Sequence, residues 1–153
     1  MGEITYQSFA LINPADFLPL LNSSVTRTHL IEHPTFDERA VREWVSGKLS
    51  VDNARGCRVR AVVVDGELAG WCGIQYESGA YELAIVLAEK HWGFGIAVFR
   101  ELMAWARELG HTTVLIHFLH TRREYRFLQK LAKAVYPTEM LGSKFTTYEL
   151  AVD

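Results

Sequence analysis

The segment from Tyr81 to Leu119 constrains the fold more than any other part of the sequence. It begins with YELAIVLA (81–88), a run apolar enough to form a strand buried on both faces, and ends with TTVLIHFL (112–119), which predicts a second such strand. Between them, apolar residues lie on one side of a helix that Gly110 is placed to end: Ile96, Phe99, Leu102, Met103, Ala106 and Leu109. This order predicts two parallel strands joined by a right-handed crossover.

The residues before this unit predict a strand, two helices and a hairpin. Residues 3–10 alternate as a strand, and Asn13 caps a short helix that begins at Pro14. Thr35 and Glu38 form a capping box for a helix that runs to about residue 49. Residues 57–64 and 67–76 flank an Asp-Gly pair at 65–66, which is the typical signal of a tight β-hairpin.

The residues after the unit predict one more helix and a closing strand. Thr121 and Glu124 form a second capping box, and the helix should extend to about Ala134. SKFTTYELAV (143–152) alternates as a strand. The resulting order is β-α-α-β-β-β-α-β-α-β, and it predicts an α/β (α+β) protein with a mixed, mostly antiparallel central sheet and helices on both faces. We expect one domain over residues 1–153.

Charge and composition exclude several classes of protein. The formal net charge of −2 provides no general attraction to nucleic acid or to acidic membrane surfaces, so neither is expected as a partner. No apolar run approaches the roughly 18 residues of a membrane span. The N-terminal residues lack the basic segment of a signal peptide. We therefore expect a cytoplasmic protein in which Cys57 and Cys72 remain buried thiols.

Two glycines, Gly93 and Gly95, stand where the long helix begins, although glycine costs a helix roughly 1 kcal/mol relative to alanine. Either the turn needs unusual backbone angles, or a ligand must approach that backbone closely. A strand, a glycine turn and a helix N-terminus together are typical of an anion site. The dinucleotide pattern G-x-G-x-x-G fails because position 98 is Val, and the P-loop pattern is absent.

The pattern that remains is [QR]-x-x-G-x-[GA] behind an apolar strand, which residues 90–95 (KHWGFG) match with Lys in the first place. With the element order around it, this segment resembles the GNAT N-acetyltransferase superfamily. The resemblance implies that acetyl-CoA is the co-substrate and that its pyrophosphate is bound by backbone N–H groups of Trp92, Gly93, Phe94, Gly95, Ile96 and Ala97. The alternative is that both glycines only shape a turn.

The resemblance also implies a cleft in the sheet. The strand at Ile85, Val86 and Leu87 should part from the strand at 113–119, and the pantetheine arm should hydrogen-bond the backbone of Ile85 and Leu87 in the gap. The N–H of Leu87 should polarise the thioester carbonyl. Such an enzyme works mainly by positioning, because the acceptor amine itself is the nucleophile.

The resemblance suggests Glu82 as the base, because relatives often carry Glu at this place on the strand before the glycines. The alternative is that Glu82 faces solvent or pairs with an arginine. His120, at the end of the next strand, is the second candidate. We expect His117 to be an exposed or hydrogen-bonded strand residue. The spacing of the histidines gives no metal site, and none is expected.

The helix after residue 120 departs from the family pattern. Relatives place a tyrosine there that protonates the departing sulfur, but this chain has Leu128 at that position and Thr121 at the usual asparagine. Tyr125 lies one turn earlier and could substitute, or it could be a packing residue. The resemblance implies contacts from Thr121 and Arg126 to coenzyme A. Four basic residues occur at helical spacing, and they predict a solvated face or, alternatively, a surface for an RNA-bearing substrate: Arg122, Arg126, Lys130 and Lys133.

The acceptor is the least constrained part of the prediction. The pocket should involve residues 26–34 together with Tyr76 and Glu77, and we expect Trp44 and Trp71 to be core residues. The leading hypothesis is acetyl transfer to a primary amine of a small molecule or of a protein. The alternatives are a CoA-binding sensor with little catalysis and an acyltransferase that acts on RNA-bearing substrates. The C-terminal strand could pair two copies into a homodimer.

Overall fold

The computed structural model describes residues 2–23, 35–119, 126–140 and 142–152. Its helices are α1 (Leu18–Asn22), α2 (Glu38–Asp52), α3 (Gly95–Glu108) and α4 (Arg126–Leu131), with short 3₁₀ helices at Phe9–Leu11, Pro14–Phe17 and Glu89–Phe94. Its strands are β1 (Ile4–Gln7), β2 (Arg58–Val64), β3 (Glu67–Glu77), β4 (Ala80–Leu87), β5 (Thr113–Leu119), β6 (Ala132–Met140) and β7 (Ser143–Ala151).

The seven strands form one sheet in the order β1-β2-β3-β4-β5-β7-β6. Every pair of neighbours is antiparallel except β4 and β5, which are parallel and joined through α3. The predicted mixed, mostly antiparallel sheet is therefore confirmed. The predicted hairpin between β2 and β3 is also present, and both residues of its turn have positive φ, with Asp65 at 50° and Gly66 at 81°.

Helices pack on both faces of the sheet, as predicted. On one face, which we call the α3 face, residues of α3 and α4 bury a core against the sheet that includes Leu83, Leu87 and Tyr148. On the other, which we call the α2 face, α1 and α2 cover β2, β3 and β4 with a core that includes Phe9, Trp71 and Val86. Because strand side chains alternate, the odd residues of β4 face α3 and the even residues face α2.

Two of the predicted helix starts can be compared with the structure. The Asn13 side chain accepts a hydrogen bond from the Ala15 N–H at 3.1 Å, which confirms it as a cap. The capping box at Thr35 is wrong, because Asp37 caps α2 and accepts from the N–H of Ala40 at 2.7 Å. Asp37 places a carboxylate at the helix N-terminus, where the dipole favours it. The second capping box, at 121–124, lies outside the described residues.

The last predicted helix is too long, and a strand was missed. Helix α4 ends at Leu131, and residues 132–140 pair with β7 over their whole length. Pro137 is tolerated because β6 is an edge strand. The C-terminal strand β7 lies between β5 and β6, so the hypothesis that its edge pairs two copies is wrong. The edges of the sheet are β1 and β6.

Cys57 and Cys72 are free and buried, as predicted. Burial raises the pKa of both thiols above the usual value for cysteine. None of the helices in the described part of the chain has the length and apolarity that crossing a bilayer requires.

Candidate active site

The glycine junction, residues Trp92–Ala97, connects a 3₁₀ helix directly to α3. Gly95 has ordinary helical angles, with φ −56° and ψ −40°, and Gly93 is not among the glycines with positive φ. A Cβ added at either glycine would have no other heavy atom within 4 Å. Neither the backbone angles nor the packing of the described residues requires glycine here. Unusual backbone angles therefore do not explain the two glycines, and the close approach of a ligand to this backbone stays a prediction.

The first turn of α3 is suited to an anion. No side chain caps the helix, and no acidic residue lies in its first turn. The first N–H groups of a helix lack intrahelical partners and carry the positive end of its dipole, although the Gly95 N–H here already donates to the Trp92 carbonyl of the preceding 3₁₀ helix. Lys90 forms an ion pair with Glu67, and its hydrogen bond and charge hold the pKa of that carboxyl below its usual value. Lys90 is thus already paired with Glu67, so the predicted binding of an anion at the junction would depend mainly on backbone amides.

The parallel strands β4 and β5 part halfway along β4. Their register contains only two pairs, Glu82 with Leu115 and Leu83 with Ile116, whereas β4 pairs with β3 as far as Leu87. The stretch from residue 84 to residue 87 therefore leaves a free edge toward β5. This geometry agrees with the prediction that the two strands separate near Ile85 and Leu87.

The free edge presents specific backbone groups. The N–H of Ala88, the residue after β4, donates to the carbonyl of Ala69 in β3 at 2.8 Å. Backbone groups of successive strand residues point to opposite edges, so those of Ile85 and Leu87 point away from β3 and into the gap. The Trp92 indole N–H donates to the Leu87 carbonyl at 2.9 Å. The Leu87 N–H lies beside it and faces the same gap.

Glu82 lies at the point where β4 and β5 part, and its side chain is on the α2 face. The side chain is 14% exposed, and its Oε1 is in direct contact with Nε2 of His117, which is 13% exposed. The alternative that Glu82 faces solvent is therefore wrong, and its ion-pair partner among the described residues is a histidine and not an arginine. His117 is hydrogen-bonded, as expected, but its contact with Glu82 was not predicted.

The contact continues into β7 and β6. Nδ1 of His117 lies 2.6 Å from Oγ1 of Thr147, which is fully buried, and that oxygen lies 2.7 Å from Oγ1 of Thr138. If Glu82 is ionised, His117 donates to it through Nε2, so a neutral imidazole accepts at Nδ1 from the Thr147 hydroxyl. Thr147 in turn accepts from Thr138. This chain holds the Glu82 carboxylate at one position beside the gap.

A wider set of polar side chains shares this face. Gln75 is the cross-strand partner of Glu82, and Lys48 of α2 donates from Nζ to Gln75 Oε1 at 2.5 Å. We call the whole set the polar row: Lys48, Gln75, Glu82, His117, Thr147 and Thr138. It extends from α2 across five strands. Its members are distant in sequence, so only the strand register could have identified it.

The remaining predicted site residues are placed as follows. Val86 is buried in the core on the α2 face, and its backbone N–H and C=O point toward β3, so it presents no polar group to the gap. Ile96 is exposed at the start of α3. Arg126 is the exposed first residue of α4. His120, Thr121 and Tyr125 lie outside the described residues, as does the predicted acceptor segment 26–34. Leu128 is buried, in agreement with a packing role.

The four basic residues that were predicted at helical spacing, which we call the basic stripe, do not lie on one helix. Arg126 and Lys130 belong to α4, but Lys133 lies in β6, where its Nζ is 2.5 Å from Thr113 Oγ1 and 3.9 Å from Glu149. Arg122 lies outside the described residues. Among the residues that are described, no group of three or more His, Cys, Asp or Glu side chains is arranged to hold a metal ion.

The family model of the acetyltransferase (GNAT) domain matches residues 10–130 of this chain. The chain belongs to the GNAT acetyltransferase family. The matched range includes the parting strands, the glycine junction and Glu82, so the predicted resemblance is confirmed. No curated protein sequence matches the chain.

Solved structures of similar fold cover nearly the whole chain. One, assigned to the GNAT family and from Bordetella pertussis, has a TM-score of 0.77 at 15% identity and covers 97% of this chain and 95% of its own. Another, assigned as an acetyltransferase from Salmonella typhimurium and solved with its cofactor acetyl-CoA, has a TM-score of 0.71 at 17% identity, with 100% and 95% covered.

A third structure, also from Salmonella typhimurium, is an acetyltransferase that modifies the N-terminal serine of ribosomal protein L7/L12. It has a TM-score of 0.73 at 16% identity, and the match covers 99% of this chain and 95% of that one. At these identities the likeness establishes the fold, and the acceptor of one protein does not carry over to another.

Proposed function

We propose that this GNAT protein is an acetyl-CoA-dependent N-acetyltransferase that transfers the acetyl group directly to a primary amine in a ternary complex. The observation that carries the proposal is the gap between β4 and β5, which opens beside a helix start that no side chain caps. The relative solved with acetyl-CoA supports the choice of co-substrate.

The residues at the gap fit the co-substrate. Backbone amides of the glycine junction would hold the pyrophosphate, and the two glycines leave space for its oxygens. The pantetheine arm would pair with the free edge of β4 at Ile85, as a short additional strand does. The Leu87 N–H would donate to the thioester oxygen and stabilise the charge that develops there.

Glu82 is the proposed base. The acceptor nitrogen forms a bond to the acetyl carbon, and the carbon–sulfur bond breaks. The nitrogen gives up two protons: Glu82 accepts the one that frees its lone pair, and the second reaches the departing thiolate through solvent. His117 holds the carboxylate in place and keeps one of its oxygens hydrogen-bonded.

The acceptor could be a small molecule or an exposed amino group of a protein, as in the relative that modifies an N-terminal serine. The Glu82–His117 pair favours catalysis over a CoA-binding sensor, because a sensor has no use for a fixed carboxylate at the gap. An RNA-bearing substrate is disfavoured, since the basic residues that suggested it do not share one helix: Lys133 lies in β6.

The proposal is tested in two steps. Acetyl-CoA should raise the melting temperature of the protein, whereas NADH at the same concentration should not. Free thiol should then appear when a panel of primary amines and N-terminal peptides is added with acetyl-CoA. If acetyl-CoA does not stabilise the protein, the binding site is wrong. If it does but no amine is acetylated, the sensor function replaces the enzyme.

A further inference from the structure

The end of the polar row that contains Lys48 is not explained by acetyl transfer. The Lys48 Nζ lies over the Trp71 ring, 4.3 Å from its centroid, and 5.7 Å from the centroid of Trp44. Among the described residues, its one hydrogen-bond partner is Gln75. No carboxylate of the described residues lies within 4.0 Å of Nζ, so within this part of the chain the cation has no ion-pair partner.

The ionised form of Lys48 is poorly stabilised by the protein alone. Burial lowers the pKa of Lys48 to about 8, and the charge of Glu77 only partly opposes this. The two indoles attract the cation through their ring faces, but they supply no counter-charge. A half-buried ammonium group in this setting is best completed by an anion.

Trp71 provides a second, independent observation. It is 2% exposed, and its indole Nε1 has no hydrogen-bond acceptor among the described residues. A buried donor without an acceptor is uncommon in folded proteins, because it loses its hydrogen bond to water and gains none in return. The Trp71 N–H and the Lys48 ammonium group are therefore two neighbouring donors, and the part of the chain that the structure describes supplies neither with an anionic acceptor.

We infer that Lys48 and Trp71 form an anion subsite for the acetyl acceptor, so that the acceptor is an amine that also carries a carboxylate or another anionic group. The inference rests on the proposed function and specifies its substrate class. A carboxylate has two oxygens, and it could accept from the indole N–H and from the ammonium group together.

The position of the subsite relative to Glu82 fits such an acceptor. Cross-strand partners share a face of the sheet, and Trp71 is opposite Val86 while Gln75 is opposite Glu82. Lys48 and Trp71 thus lie on the face that holds the proposed base, with Gln75 between the positive and the negative end. An amine would be drawn to Glu82 and repelled by Lys48, and an anion would experience the reverse. The polar row would orient an acceptor that carries both charges.

The first experiment needs no catalysis. Titration of the protein with a series of ω-amino carboxylates, followed by the ¹H–¹⁵N resonances of the tryptophan indoles, should shift the Trp71 signal. That signal is assigned as the one missing in Trp71→Phe. The corresponding ω-amino amides, which differ only in charge at that end, should leave it in place. A Trp71 signal that shifts with none of the carboxylates in the series would overturn the inference.

The second experiment compares kcat/KM for each carboxylate and its amide. Lys48→Met should reduce kcat/KM for the carboxylate about tenfold or more and leave the amide within about twofold. Lys130→Met is the matched control, since Lys130 is exposed on α4 and outside the polar row. Equal losses for both substrates would mean that Lys48 only packs against the indoles.

The two proposals fail differently. A protein that acetylates simple alkylamines and shows no preference for carboxylates retains the proposed function and loses this inference. A protein that neither binds acetyl-CoA nor acetylates any amine loses the proposed function. In that case the indole titration still reports on the anion subsite, because it does not depend on turnover.

Discussion

The glycine junction and the polar row border the same gap in the sheet but are built in opposite ways. The junction presents main-chain amides, and the side chains at its centre are reduced to hydrogen at Gly93 and Gly95. The polar row presents side chains from α2 and five strands that the sheet register brings together. If both regions bind as proposed, the first would do so through backbone groups and the second through side chains.

This contrast bears on how acetyl-CoA and the acceptor would each be recognised. The pyrophosphate of acetyl-CoA is the same whatever the acceptor, so main-chain amides with few side chains around them would suffice to bind it. An acceptor can differ between proteins of one fold, and side chains are the means by which a fixed fold changes its specificity. Mutations in the glycine junction should therefore affect acetyl-CoA affinity, and mutations in the polar row should affect the reaction with the amine.

The largest effect should come from Glu82→Gln in the polar row. Loss of the base should reduce kcat/KM for amines at neutral pH by about 10²–10⁴-fold, while acetyl-CoA affinity stays unchanged, because the glycine junction is untouched. Steady-state thiol release and calorimetric titration measure the two quantities. Glu149→Gln is the control, since Glu149 is a strand carboxylate that pairs with Lys133 instead of histidine. Unchanged rates in Glu82→Gln would assign the base elsewhere, with His120 the next candidate.

The reverse pattern is expected from Gly93→Val in the glycine junction. The branched side chain would occupy the space next to the backbone amides, and we expect acetyl-CoA affinity to fall on the order of 100-fold, or about 3 kcal/mol. The fold should survive, because a Cβ at Gly93 meets no other heavy atom within 4 Å.

The same substitution at Gly47 is the control for Gly93→Val. Gly47 lies in α2 and also has open space where a Cβ would be, but no ligand is expected there. Calorimetric titration with acetyl-CoA and thermal melting separate affinity from stability. If Gly93→Val binds acetyl-CoA as the unaltered protein does, the junction does not hold the pyrophosphate.

The two regions also differ in how far the sequence predicts them. The junction was predictable because its signal is local: an apolar strand, glycines at fixed spacing and an amphipathic helix occupy about thirty consecutive residues. The polar row was not, because members such as Glu82 and His117 are distant in sequence and meet only through the pairing of β4 with β5. Trp71 was correctly predicted to be buried, but no pattern in the sequence indicates that its indole N–H lacks an acceptor.

The same reasoning explains the error near the C-terminus. The apolar spacing of residues 126–134 favours a helix, but from Ala132 onward the backbone of this segment pairs with the edge of β7. Local propensity was overridden by a tertiary contact that the sequence does not reveal. This error does not change the predicted order of the other elements, because the additional strand β6 extends the sheet at one edge.

A smaller effect should follow from Thr147→Val, which keeps the shape of the side chain and removes the hydroxyl that faces His117. If the chain of hydrogen bonds positions Glu82, kcat/KM should fall about three- to tenfold, with KM for acetyl-CoA unchanged and the pH profile of kcat displaced.

Thr146→Val is the matched control for Thr147→Val, because strand alternation places its side chain on the opposite face of β7. His117→Gln tests the same chain at its next member, and it should affect kcat at least as strongly. If Thr147→Val and His117→Gln both leave the pH profile of kcat in place, the histidine pairs with Glu82 without positioning it for catalysis.

The smallest effect concerns stability at the Lys48 end of the polar row. The pKa of Lys48 is about 8 in the folded chain and 10.5 in its unperturbed state, so between these values the unfolded chain binds more protons. The free energy of unfolding should therefore rise with pH through this window, by about 1–3 kcal/mol in total. Below about pH 8 Lys48 is charged in both the folded and the unfolded chain, so the full free-energy cost of burying its charge is present.

Other groups oppose this rise, so it must be measured as a difference. The pKa values of Cys57 and Cys72 are raised by burial and that of Tyr6 is raised to about 12, and each of these groups makes the folded chain less stable in alkali. Their contribution is shared by Lys48→Met and cancels when its urea unfolding curves are subtracted from those of the unaltered protein. The stability difference should change between about pH 8 and about pH 10, and an anionic acceptor should reduce that change, because it stabilises the charged amine in the folded state. A difference that stays flat over this range would mean that the lysine is better solvated than its position between the indoles indicates.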